Sequence, residues 1–206
     1  EKATLPEGLK PWAPPAAAPL AAAPAYALGP ESPERWKVVS AARKGGEVSV
    51  LAAADGPLVS GTVVLDAGAA KAAAPVAGEL GLALAPLAKA PAGLAKLRAP
   101  RVGLYKPWAA SMDEGWTRFL LERYGFAPVT LDNAAVRAGK LGARFDVIVL
   151  PDVDREVLAN GRPKREEGEM AYFPEPRPEY AGGLGKEGAA ALKEFVETYG
   201  EEPVAE

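Results

Sequence analysis

The sequence predicts an α/β chain in which a small α/β unit precedes an open, mostly parallel sheet. Three observations carry that prediction. Short β-branched runs alternate with stretches of helical apolar spacing, and this alternation is the mark of strands linked through helices. Gly or Pro closes most of these runs. The run Phe145-Asp146-Val147-Ile148-Val149-Leu150 is almost continuously apolar, which suits a central parallel strand covered on both faces.

Taken in order, residues 1–24 read as an Ala/Pro-rich linker, because Pro11, Pro14, Pro15, Pro19 and Pro24 restrict φ and remove backbone donors. Residues 25–97 read as a small α/β unit. Tyr26 to Leu28 is a strand closed by Gly29-Pro30, and Ser32-Pro33-Glu34 starts a helix that stops at Gly45-Gly46. Val48 to Leu51 and Thr62 to Leu65 are strands around the turn Asp55-Gly56-Pro57. A helix fits Ala69 to Leu80 despite Pro75, and Leu82 to Leu87 is a weak strand. The order β-α-β-β-α-β is one that a split β-α-β unit shows.

Beyond the spacer Ala90-Pro91-Ala92-Gly93, residues 98–206 form the second region. Val102 to Tyr105 is a buried strand. Ser111 and Glu114 have capping-box spacing, in which hydroxyl and carboxylate satisfy free amides at a helix start. Trp116, Phe119, Leu120 and Tyr124 follow at helical spacing and are expected in the core. Val129 to Leu131 and Phe145 to Asp152 are strands. A last helix runs from Lys186 to Tyr199 with Ala189, Leu192, Phe195, Val196 and Tyr199 on one stripe.

Composition excludes more than it assigns. The 206 residues contain no Cys and no His, so this chain cannot run catalysis through a thiolate or an imidazole. A formal charge of −3 gives no general attraction to nucleic acid. No apolar run reaches the roughly 18 residues of a membrane span. No motif calls for a cofactor. The chain starts at Glu1 without a signal-peptide pattern, which reads as a processed product or a segment of a larger protein.

Arg101 to Trp108, then Ser111 to Arg118, Arg144 to Asp152, and Pro178 to Gly185 follow one another in a recognisable order. Together they resemble the class I glutamine amidotransferase-like domain found downstream of the catalytic domain in bacterial zinc carboxypeptidase-like proteins. The resemblance spans about residues 98 to 200. It implies a flavodoxin-like sheet, a catalytic peptidase domain as partner in the same parent protein, and a periplasmic or secreted location. It carries over no active site, since amidotransferases need Cys and His and zinc carboxypeptidases need His ligands. The family pattern implies a further apolar strand after Tyr199-Gly200, whereas Glu201 to Glu206 is acidic and broken by Pro203. The sheet is therefore expected to be incomplete at that end or completed by another segment.

Open α/β sheets bind ligands beyond the carboxyl ends of their strands. That edge carries Lys106 to Glu114, Asp132-Asn133, Asp152 and Asp154. Asp113 and Glu114 from one loop and Asp152 and Asp154 from another could hold Mg²⁺ or Ca²⁺ through oxygen, as in a carboxylate-only hydrolase. The plainer reading is that Asp113 and Glu114 offset a helix dipole and that Asp152 is a solvated strand end. Gly182 and Gly183 could present amides to a small anionic ligand, or simply allow a sharp turn into the last helix. Trp108, in a Pro-containing loop, is the candidate for a surface contact. Asn160 to Met170 has mixed signs and reads as a solvated loop. The function these features favour is a non-catalytic accessory domain. A free-standing small-ligand module and the metal-dependent hydrolase are the alternatives.

Overall fold

The computed structural model describes residues 19–163 and 175–199. The first part of the linker and most of the loop between Arg162 and Phe173 lie outside the described residues, as do the residues after Tyr199. The chain divides into two compact units, one ending at Leu97 and the other beginning at Arg98.

In the first unit, the strands β1 (Ala25–Leu28), β2 (Val48–Leu51), β3 (Val63–Asp66), β4 (Ala85–Leu87) and β5 (Leu94–Lys96) form an antiparallel sheet. Their spatial order is β4-β1-β3-β2-β5. Helix α1 (Arg35–Ala42) follows β1, and α2 (Ala67–Glu79) follows β3. The first four strands thus have the topology of a split β-α-β unit, with β5 added beside β2. Pro86 sits in β4, an edge strand, where its missing N–H disturbs no ladder on the outer side.

The core of this unit packs Tyr26, Leu28, Val48, Val63 and Leu65 against Val38, Val39 and Ala42 of α1 and Ala69, Ala70, Ala73 and Ala77 of α2. The alanine stripe lets α2 approach closely, and Pro75 stands on the exposed face of the helix. Asp66 caps α2: its carboxylate accepts from the amides of Ala69 at 2.7 Å and Glu47 at 2.8 Å. Those bonds hold its pKa below the ordinary carboxylate value, Ala69 contributing most. A side chain at Gly46 would run into that same carboxylate.

In the second unit, β6 (Val102–Tyr105), β7 (Val129–Leu131) and β8 (Val147–Val149) form a parallel sheet in the order β7-β6-β8. Its described helices are α3 (Met112–Arg123), α4 (Asn133–Arg137), α5 (Leu141–Arg144), α6 (Arg155–Asn160) and α7 (Gly185–Tyr199), with a 3₁₀ turn at Pro178–Tyr180. Tyr105, Leu131, Val136, Leu141, Phe145, Leu184 and Ala191 make the core of one face, and α3 packs on β6. Asp146 ties the start of β8 to the start of β6. It accepts from both guanidinium nitrogens of Arg98, from Arg101 Nη2 at 2.8 Å and from the Arg101 amide at 2.7 Å. These bonds, led by the Arg101 side chain, hold its carboxyl well below the usual range.

Three sequence expectations change here. The central strand is β6, whose four residues are all buried, and not Phe145 to Asp152. Gly103 allows this, because a Cβ there would come within 2.7 Å of Leu131 and 3.2 Å of Phe145. Val147 and Leu150 are exposed, since among the described residues β8 pairs only with β6. The α3 stripe is not core. Trp116 is 62% exposed and Phe119 and Leu120 are each 49% exposed, while the residue α3 buries is Glu114, at 6%. On α7 the buried side carries Gly188 and Ala191, with Leu192 and Phe195 half-buried, whereas Ala189 and Val196 face outward.

Candidate functional site

Strand direction places the carboxyl ends of β6, β7 and β8 together, so Lys106, Asp132 and Leu150 begin the loops where a ligand would collect. The loop after β6 and the loop after β8 frame a cleft of about 250 Å³ lined by Pro107, Ser111, Met112, Asp113, Asp152 and Asp154, among others. Asp113 and Asp152 therefore do share one site. Asp154 also lines it, although its carboxylate caps α6 by accepting from Glu156 N at 2.8 Å and Val157 N at 3.2 Å.

Glu114 is not part of that cleft. Ser111 Oγ accepts from the Glu114 amide at 3.1 Å, which is one half of the capping box. The Glu114 carboxylate instead accepts from Arg118 Nε at 2.8 Å and Nη2 at 2.5 Å, and Arg118 Nη2 also donates to Thr130 Oγ1 at 3.0 Å. A buried carboxylate needs such a partner, and Arg118 at i+4 supplies a charge-assisted one. Among the described residues, no group of three or more acidic side chains is arranged to hold a metal ion.

Beside the cleft lies a polar chain that sequence reasoning missed. The Tyr105 hydroxyl donates to Asn133 Oδ1 at 2.7 Å, and Asn133 Nδ2 donates to the Tyr180 carbonyl at 2.6 Å. Arg137 Nη1 donates to the carbonyls of Ala181 and Gly183. Trp108 packs its ring against Tyr180 at 5.4 Å, and the Arg177 guanidinium lies 5.8 Å from the Trp108 ring centre. Burial pushes the Tyr105 hydroxyl up to about 12, against the opposing pull of Arg137. Burial also raises Tyr180, helped by the charges of Asp132 and Glu179. Both phenols therefore keep their protons at neutral pH. Trp108 is thus held by its own chain. The sequence signal was thin: Asn133 and Tyr180 are 47 residues apart, and only Asp132-Asn133 announced itself as an edge pair.

Gly182 and Gly183 have φ of +76° and +63°, and a side chain at Gly183 would strike the Ala159 carbonyl at the end of α6. The amide of Leu184 donates to the Leu158 carbonyl at 2.8 Å. Close packing of this turn on α6 accounts for Gly183, and its carbonyl faces the cation Arg137.

Comparison with known protein families, with characterised proteins and with solved structures finds no match to this chain. What the structure defines is a two-unit α/β chain with one antiparallel sheet and one small parallel sheet. No described helix is long and apolar enough to cross a membrane.

Proposed function

We propose that this chain is a non-catalytic accessory or interaction segment of a larger zinc carboxypeptidase-like protein. In this reading residues 98–206 belong to an amidotransferase-like, flavodoxin-type domain. The order β7-β6-β8 supports the fold reading, because a flavodoxin-type sheet begins with its strands in the order 2-1-3. One observation carries the functional reading. At the strand edge where such sheets place their chemistry, Tyr105, Asn133 and Tyr180 are bonded to one another, and the sequence offers no Cys or His to act there. Blotting source-cell fractions with an antibody against this chain tests the proposal. The expected result is a band well above 21.3 kDa that carries zinc-dependent carboxypeptidase activity on immunoprecipitation. A band at the chain's own size, or a larger one without that activity, overturns it.

The cleft favours a second reading, a small-ligand module. None of its described lining residues is Lys or Arg, while Asp113, Asp152 and Asp154 all line it, so it suits an amine-bearing ligand better than a small anionic one. Titration calorimetry against amines, short peptides and carboxylates separates these. Heat from an amine that Asp152→Asn removes supports the module, and flat titrations dismiss it.

A further inference from the structure

Helix α3 carries its large side chains outward. Met112, Trp116, Phe119 and Leu120 are all exposed, and the Trp116 and Phe119 rings meet edge to face at 5.8 Å. The inward face holds Glu114 and Arg118 instead. An exposed stripe of Met, Trp, Phe and Leu on one helix is the composition of an interface centre.

Two copies of the helix running antiparallel about a two-fold axis between Thr117 and Arg118 would bring Trp116 of one to the level of Phe119 of the other, and Met112 to the level of Arg123. In that arrangement Trp116 of each copy falls between Phe119 and Leu120 of the other. The acidic start of α3, with Asp113, meets its basic end, with Arg123. Gly115 then also has a role. A glycine inside a helix weakens it, and here a Cβ would meet nothing within 4 Å, so no packing within the chain requires its absence. Gly115 lies beside the stripe, where the Phe119 ring of a second copy would have room.

We propose that α3 pairs with α3 of a second copy of this chain, antiparallel, with the aromatic stripe at its centre and Asp113–Arg123 ion pairs at both ends. A helix of 12 residues is about 18 Å long. The contact is therefore at the small end of stable interfaces, and the dimer should dissociate in the micromolar range.

Sedimentation equilibrium on the full chain tests this. The mass should rise from 21.3 kDa toward twice that value as concentration passes through the micromolar range. Trp116→Glu and Phe119→Glu should each weaken association by at least about ten-fold, as loss of an interface aromatic does. Because these side chains are exposed, circular dichroism melts of the diluted variants should match the parent. Asp113→Arg and Arg123→Asp should each weaken the dimer, and the double variant should restore it to within about three-fold of the parent. Only this antiparallel pairing predicts that rescue. A chain that stays at 21.3 kDa throughout, a dimer indifferent to Trp116→Glu, or a double charge swap without rescue overturns the proposal. None of these results depends on whether the chain belongs to a peptidase.

Discussion

Helices α2 and α3 are of similar length and sit in different units, yet they dispose of their apolar residues in opposite ways. α2 has no large aromatic residue, and its alanines 69, 70, 73 and 77 are fully buried or nearly so. α3 has Trp116 and Phe119, and both face solvent. The difference shows that side-chain size and burial are separate quantities. Small residues let backbones come close, so Gly45, Gly68 and Ala72 bring the end of α1 against the start of α2. The polar pair Glu114–Arg118 needs the Thr130 hydroxyl and each other, and satisfying it inward turns the aromatic stripe out.

The sharpest way to break this comparison is to truncate one large residue in each unit under conditions where the chain is monomeric. Leu65→Ala removes a fully buried side chain from the first core and should cost about 3 kcal/mol or more of stability. Trp116→Ala removes a larger side chain from α3 and should change stability by no more than about 0.5 kcal/mol. Chemical denaturation followed by circular dichroism decides it. A loss at Trp116 comparable to that at Leu65 would mean that the stripe is covered within the monomer.

Within the second unit, Tyr105→Phe keeps the ring and removes the donor to Asn133. Asn133 is buried, so its oxygen would be left unsatisfied at a cost of about 2 kcal/mol. The denaturation midpoint should drop while the circular dichroism spectrum of the folded chain is unchanged. A neutral result would show that the Tyr105–Asn133–Tyr180 chain does not hold the turn at Pro178–Tyr180 in place.

Much of this architecture was legible beforehand, and the reasons for the rest are specific. Val48–Leu51, Val102–Tyr105 and Val129–Leu131 announce themselves by β-branched or apolar runs between turn residues. Ser111 marks the start of α3 correctly, because N-cap chemistry is local. Strand β5, Leu94-Ala95-Lys96, carries no such pattern and exists through its backbone pairing with β2. The caps Asp132 and Asp154, which start α4 and α6, were visible as acids but read as strand-edge residues. Periodicity shows that α3 has an apolar side without saying which way it faces. That choice is made by packing between elements, where the inward-facing Arg118 reaches Thr130 on β7. The site suffered most, since its polar chain joins Tyr105, Asn133 and Tyr180 across the whole unit.

Acid titration sharpens the comparison further, as among the described residues each unit has one carboxylate with a depressed pKa. Asp66 and Asp146 are both held below their unfolded value of about 3.9. A depressed carboxylate adds stability that is fully present above that unfolded value and is lost as pH falls through the folded pKa. Stability of both units should therefore fall below about pH 4. Asp66→Asn and Asp146→Asn should each remove about 1 kcal/mol at neutral pH and flatten the acid limb of their own unit. Melting curves recorded from neutral pH downward read both effects. An acid limb equally steep in the two variants would place the protons elsewhere.

The smallest effect is the most discriminating, because it changes sign between the two helices. Gly68 and Gly115 are both helical glycines to which a single methyl can be added. At Gly68 the new Cβ would lie 2.5 Å from the Gly45 carbonyl, a backbone atom that cannot move cheaply. Gly68→Ala should thus cost about 1 kcal/mol or more by overpacking. At Gly115 the Cβ meets open space, and Gly115→Ala should add about 0.5–1 kcal/mol to the monomer through helix propensity alone. The same methyl would intrude on a paired α3, so it should stabilise the monomer while weakening self-association. If Gly115→Ala strengthens both, the glycine is a local weakness with no part in an interface. If it divides them, the outward face of α3 is shaped for contact.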